Sequence, residues 1–139
     1  MSITITSTKD KSYNCIAWAA EDNENFWWPI GGHWPEGMPR VLNLECFKFV
    51  YGAAGYVITD TSDLETGYQK IAIYVDRDGI PTHAARQLSD GWWTSKLGRS
   101  YDIRHPFYNV WPDLEVNGIL ERLSNSYGRL GILMKKKIG

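Results

Sequence analysis

The 139 residues carry a formal charge of −1, with 43% hydrophobic and 22% charged side chains, the proportions of one soluble globular domain able to bury a core unaided. That balance creates no field to attract nucleic acid or an anionic membrane surface, and no apolar run approaches the ~18 residues of a membrane span. The opening MSITITSTKDKS lacks the basic start and apolar core of a cleavable signal, and two cysteines, Cys15 and Cys46, make no disulfide scaffold. Both are therefore expected as thiols of a cytoplasmic protein, with export by a signal-independent route left open.

Ile3-Thr4-Ile5-Thr6 alternates and predicts a short first strand. Asn14 is a favoured N-cap residue, and Cys15-Ile16-Ala17-Trp18-Ala19-Ala20 after it suits a helix. Cys15 then occupies the first turn, where unpaired backbone N–H groups stabilise an anion and depress a thiol's pKa. Residues 25–39, NFWWPIGGHWPEGMP, combine three prolines and three glycines with three tryptophans. This predicts an ordered loop packed by its own rings, either a cleft wall beside Cys15 or a plug finishing a small core. No second ligand stands at three- or four-residue spacing from His33, so no metal is assigned and no cofactor is expected. Leu42, Cys46, Phe49 and Val50 share one face of a second predicted helix, which makes Cys46 a core residue and leaves Gly52 or Gly55 to end it.

Gly55 to Thr59 predicts a strand. A meander follows: Ile71 to Val75, the turn signal Asp78-Gly79, then Thr82 to Leu88, Gly91 to Leu97 and Tyr101 to His105. After an aromatic connection, a helix is predicted from Pro112 or Asp113 to about Ser124, with Leu114, Ile119, Leu120 and Leu123 inward; Asn117-Gly118 sits awkwardly inside it. Tyr127 to Met134 predicts a last strand. The chain contains no repeat or linker, and residues 1–139 are expected as one α+β domain, with helices on one face of a four- to six-stranded antiparallel sheet.

A cysteine nucleophile needs a base in reach and a third group to fix that base's tautomer. His83 is the expected base. Alternation sets it with Ala85 and Gln87, opposite Thr82 and Arg86, while the small Ala84 and Ala85 let a cysteine-bearing helix approach. Asp102 and His105 fall on opposite faces of one strand, so only one can orient His83. Asp102 is favoured because a carboxylate also stabilises an imidazolium, and His105 is the alternative.

A Cys at a helix start, then a His opening one strand and a polar residue on a following one, resembles the papain-like superfamily. Its branches include papain-type peptidases, NlpC-type cell-wall endopeptidases and transglutaminase-like enzymes. The chain also resembles a group of small bacterial proteins through Asn14-Cys15-Ile16-Ala17-Trp18-Ala19, Trp27-Trp28-Pro29, Lys70 to Tyr74, Pro81 to Gln87, Thr94 to Gly98 and Tyr127-Gly128. The first resemblance implies a papain-like fold, with Cys15 as nucleophile, His83 as general base and Asp102 or His105 as orienter. NlpC-type enzymes place the histidine directly before a strand like Ile71 to Tyr74, where this chain has Lys70. His83-Ala84 followed by Asp102 is closer to the transglutaminase-like order.

Two functions follow as expectations. One is a cysteine-dependent hydrolase or acyltransferase of amidase, peptidase or deamidase type, of the kind a small bacterial effector or toxin uses. Its acyl-enzyme would form on Cys15, and its peptide or amide substrate would be held by Asn14, Trp18, Trp27, Trp28, Trp34 and Trp93. The other is a non-catalytic module on the same scaffold, whose Trp-rich loop grips a partner protein or a sugar. Neither expects nucleic acid or a membrane as partner.

Overall fold

The alternating segments in the middle of the chain pair in the order in which they occur. The computed structural model describes residues 3–6, 14–22, 24–25, 27–97, 102–116, 118–123 and 127–138. Strands β3 (Tyr68–Val75), β4 (Pro81–Gln87), β5 (Trp93–Lys96) and β6 (Asp102–His105) form the expected antiparallel meander. Asp76 Oδ1 accepts from the N–H groups of Asp78 (2.9 Å) and Ile80 (3.0 Å), while Gly79 takes φ 79°, and these close the β3–β4 hairpin. The first strand, β1 (Thr4–Ile5), pairs with β6. The last, β9 (Arg129–Lys137), pairs with β3 and carries β2 (Val57–Thr59) on its other side. Among the described residues the sheet therefore has seven strands, in the order β1-β6-β5-β4-β3-β9-β2.

Successive side chains of a strand face opposite ways, and here both faces are covered. One buries Ile71, Ile73, Ala84 and Met134 against the helices α1 (Cys15–Ala19) and α2 (Leu44–Ala53) and against Trp34. The other buries Ala72, Tyr74, Ala85, Trp93 and Ile103 against Tyr108, Trp111, Leu114 and Tyr127. Gly128 allows this second layer to close: at φ 76°, a Cβ there would lie 2.0 Å from the Val75 carbonyl oxygen.

The expected papain-like α+β arrangement is overturned. The antiparallel sheet dominates the described residues, and the two helices among them span only five and ten residues. The alanine-rich run stops after Ala19, where Ala20 caps the helix and Glu21 turns to φ 64°. The helix predicted over 112–124 is also absent from the described residues there. They form a second, two-stranded sheet of β7 (Leu114–Val116) and β8 (Ile119–Glu121), with Gly118 at φ 77° in the turn. Asn117 lies outside the described residues, but Asn-Gly is the pair that a two-residue hairpin prefers. The third meander strand was expected from Tyr101, which is likewise outside them. In α2, Phe49 departs from the predicted inner face and is 58% exposed, while Cys46, Phe47, Val50 and Tyr51 are buried.

Candidate functional site

Asn14 begins α1 as expected, its Oδ1 accepting from the Ala17 N–H at 3.1 Å. The same oxygen accepts from the Trp27 N–H at 3.0 Å, and its Nδ2 donates to the Trp27 carbonyl at 2.6 Å. One buried amide thus caps the helix and ties the tryptophan loop to it. Tyr51 of α2 adds a second tie, donating from its hydroxyl to the Ile16 carbonyl at 2.7 Å.

Cys15 points into the sheet, packed with Ile16, Ala19, Ile73 and Ala84 and 5% exposed. Burial pushes its thiol up to about 11. The N–H groups of Ala84, Ile16 and Cys15 itself favour the thiolate without offsetting that desolvation. The first-turn position acts in the direction the sequence suggests, but loss of water outweighs it.

His83 lies on the other face. Its ring stacks on Tyr127 (centroids 4.0 Å, interplanar angle 7°) and meets the edge of Trp111 at 4.4 Å, in the layer that excludes α1. The expected Cys15–His83 pair is not assembled, because the sheet itself separates the two side chains. The orienting groups also divide as alternation requires. Asp102 pairs in register with Lys96, and their charged groups approach to 3.8 Å. His105 is the residue that shares a face with His83. Asp102 as the favoured orienter is therefore corrected: it is one position out of phase with the imidazole.

His83 and His105 are joined through Ser95, which the sequence reasoning did not single out. His105 Nδ1 donates to the Pro106 carbonyl (2.7 Å), leaving Nε2 to accept the Ser95 hydroxyl (2.7 Å). Ser95 Oγ in turn accepts from His83 Nε2 (3.1 Å). The Pro106 carbonyl thus sets the direction of the whole chain. All three side chains are fully buried. Burial, with the neighbouring His105, holds His83 well below the ordinary histidine range, and burial pushes His105 down to about 4. The arrangement is a neutral polar tie across β4, β5 and β6. Its sequence signal is faint: Ser95 has the parity of Trp93, but the pairing of Ser95 with Ile103 had to be known as well.

The tryptophans proposed to line one cleft are dispersed. Trp93 is buried on the His83 face against Phe107, at 5.3 Å. Trp18 lies over β4 and β5, donating from Nε1 to Thr94 Oγ1 (3.1 Å) beneath the Arg86 guanidinium (4.8 Å). Trp34 is core, packed on Phe47 at 5.3 Å and bonded to the Pro39 carbonyl at 2.8 Å. Trp28 meets Phe47 edge-on at 6.0 Å. Trp27 lines an open cavity. Its Nε1 donates to Asp22 Oδ2 at 2.7 Å, which fixes the ring.

That cavity, of about 190 Å³, lies between the end of α1, the tryptophan loop and the end of α2. Ala20, Trp27, Pro35, Met38, Val50 and Tyr51 line it, with Ala53 and Ala54 beside them. Among the described residues that line it, the hydroxyl is that of Tyr51, already spent on Ile16. A site with this lining takes an apolar group. Phe49, exposed one helical turn before Ala53, extends the apolar surface along α2.

Lys70, where NlpC-type enzymes would have histidine, is fully buried and structural. Its ammonium donates to the carbonyls of Thr61 (2.8 Å) and Asp63 (2.6 Å) and pairs with Glu65 (2.8 Å). Among the described residues, no group of three or more His, Cys, Asp or Glu side chains could hold a metal ion, and no helix is long and apolar enough to cross a membrane.

No curated protein and no solved structure matches the chain. Residues 4–135 match the model of a family described as a domain of unknown function, DUF7689. The chain belongs to that family.

Proposed function

We propose that this member of the DUF7689 family is a non-catalytic binding module that seats one apolar side chain of a partner polypeptide between its tryptophan loop and α2. The observation that carries this reading is the lining of the cavity, an open apolar recess walled by a loop that Asn14 anchors to α1. A cavity of ~150 Å³ with such walls accommodates a benzene ring, so about 190 Å³ suits a leucine, methionine or phenylalanine side chain. Met38 on the wall can adjust to any of the three. The hydrolase expectation lacks comparable support, since its thiol and imidazole face away from each other and its thiol is held protonated.

The test is an array of short immobilised peptides with degenerate flanks and one defined central residue, probed with labelled protein. Central Leu, Met or Phe should retain it, whereas Ala, Asp or Lys should not. Ala53→Trp, at an exposed helix position on the cavity rim, should abolish retention without unfolding the protein. Retention independent of the central residue, or unchanged in Ala53→Trp, would overturn the reading.

A further inference from the structure

We infer that the protein associates with a second copy of itself through β2, edge to edge and antiparallel, centred on Ile58. The inference does not rest on the cavity. Strand β2 is the last strand of the sheet, and beyond it lies no further strand among the described residues. A free edge offers unpaired backbone groups to any extended chain, and proteins normally blunt such edges with charge or proline. Here the edge reads Val57-Ile58-Thr59, with Val57 58% and Ile58 59% exposed. No proline or charge interrupts it. Two adjacent residues of a strand face opposite ways, so a neighbouring strand would cover both at once.

The charges flanking the edge select the second copy as that neighbour. Val57 pairs with Lys135 of β9, so continuing the register sets Tyr56 beside Lys136. The Lys136 ammonium indeed lies over the Tyr56 ring, 5.4 Å from its centroid. Tyr56 belongs to the helix-covered face, and two-residue periodicity puts Ile58 and Asp60 on that side as well. An antiparallel pairing centred on Ile58 opposes Ile58 to its own copy, Val57 to Thr59, and Tyr56 to Asp60. Each exposed Asp60 then stands beyond the partner's Tyr56 on the same sheet face as Lys136, with Lys136 reaching that ring from β9 on its inner side. The two-fold axis generates this lysine–tyrosine–aspartate row twice. A shift by one residue would set Asp60 opposite Val57 and put the two side chains of each pair out of phase with Lys136, so the charges also specify the register. A three-residue strand buries less than a standard interface, so the association is weak and concentration-dependent.

Sedimentation velocity over a wide range of concentration tests this, with charge exchange as the specific probe. Asp60→Lys and Lys136→Asp should each raise the dissociation constant about tenfold, the size of effect that rim charge repulsion produces. An equimolar mixture of the two variants should recover association, because every row again joins opposite charges. Ile58→Cys should form an intermolecular disulfide with itself, since opposed Cα atoms in such a pair are ~4.5–5.5 Å apart. Val57→Cys should do so only when mixed with Thr59→Cys. The native thiols are free but buried and should contribute little background. A protein monomeric at every concentration, a dimer insensitive to both charge variants, or equal cross-linking of Ile58→Cys and Val57→Cys alone would each overturn the inference. An edge that instead accepts an unrelated extended peptide would appear as the first of these.

Discussion

Lowering the pH should unfold this protein through its buried histidines before its carboxylates are protonated. An unfolded histidine titrates near 6.5, and in the fold burial brings His105 down to about 4. Between those values the unfolded chain binds more protons than the native one, so stability falls as pH falls. Above about 6.5 neither state is protonated at this site and the curve is flat. Integrated from neutrality to pH ~4, the difference for His105 alone is about 3 kcal/mol, a large part of a small domain's stability. His83, shifted the same way, adds to it. Glu65 and Asp90, held low chiefly by hydrogen bonds from Lys70 and Arg104, lose their contributions only once carboxylates protonate, below about pH 4. Urea unfolding followed by tryptophan fluorescence across this window measures the slope. His105→Gln can still accept the Ser95 hydroxyl through its amide oxygen and should flatten the curve; His83→Gln should flatten it independently. A wild-type stability constant between neutrality and pH ~4.5, or a slope unchanged in both variants, would refute the assignment of these imidazoles to a dry layer.

Other consequences follow from the same packing. The Cys15 thiol, raised from 9.0 to about 11, should react with iodoacetamide at neutral pH roughly a hundredfold more slowly than the same cysteine in the unfolded chain, read by mass spectrometry of a time course. A rate matching the unfolded chain would show that sulfur to be solvated. Gly128→Ala should destabilise by on the order of 3 kcal/mol in chemical denaturation, since it combines a left-handed backbone with a collision at the Val75 carbonyl. Asn14→Ala removes the helix cap and both ties to Trp27. It should cost about 2 kcal/mol and weaken apolar binding at the cavity, because its tryptophan wall is no longer held.

What the sequence revealed follows the range of the interactions concerned. Strand alternation and turn residues act over a few positions, so the meander, the Asp78-Gly79 turn, the Asn14 cap and the burial of Cys46 were legible, as was the strand ending at Thr59, which begins at Val57 rather than Gly55. So was the division of Asp102 from His105 between two faces. The side on which α1 docks was not. Ala84 and Ala85 are equally small and face opposite ways, so either could have received Cys15, and only the packing of both layers chooses Ala84. The 112–124 segment failed for a different reason: Leu114, Ile119, Leu120 and Leu123 satisfy a helical spacing, but the Asn-Gly pair between them favours a hairpin. Ser95 was missed because a serine gains meaning only from the cross-strand register that sets it between two imidazoles. The tryptophans, finally, announce an ordered loop without saying which ring borders a cavity and which completes the core.

The cavity beside Trp27 is measured most directly by methyl-detected NMR during a toluene titration, which does not require the natural partner. Saturable shifts should appear at the Met38, Val50, Ala53 and Ala54 methyls, be absent from Ile103 and Leu97 on the opposite face, and vanish from Met38, Val50 and Ala54 in Ala53→Trp. No response at the methyls of those four residues, or an equal response on the far side of the sheet, would contradict it.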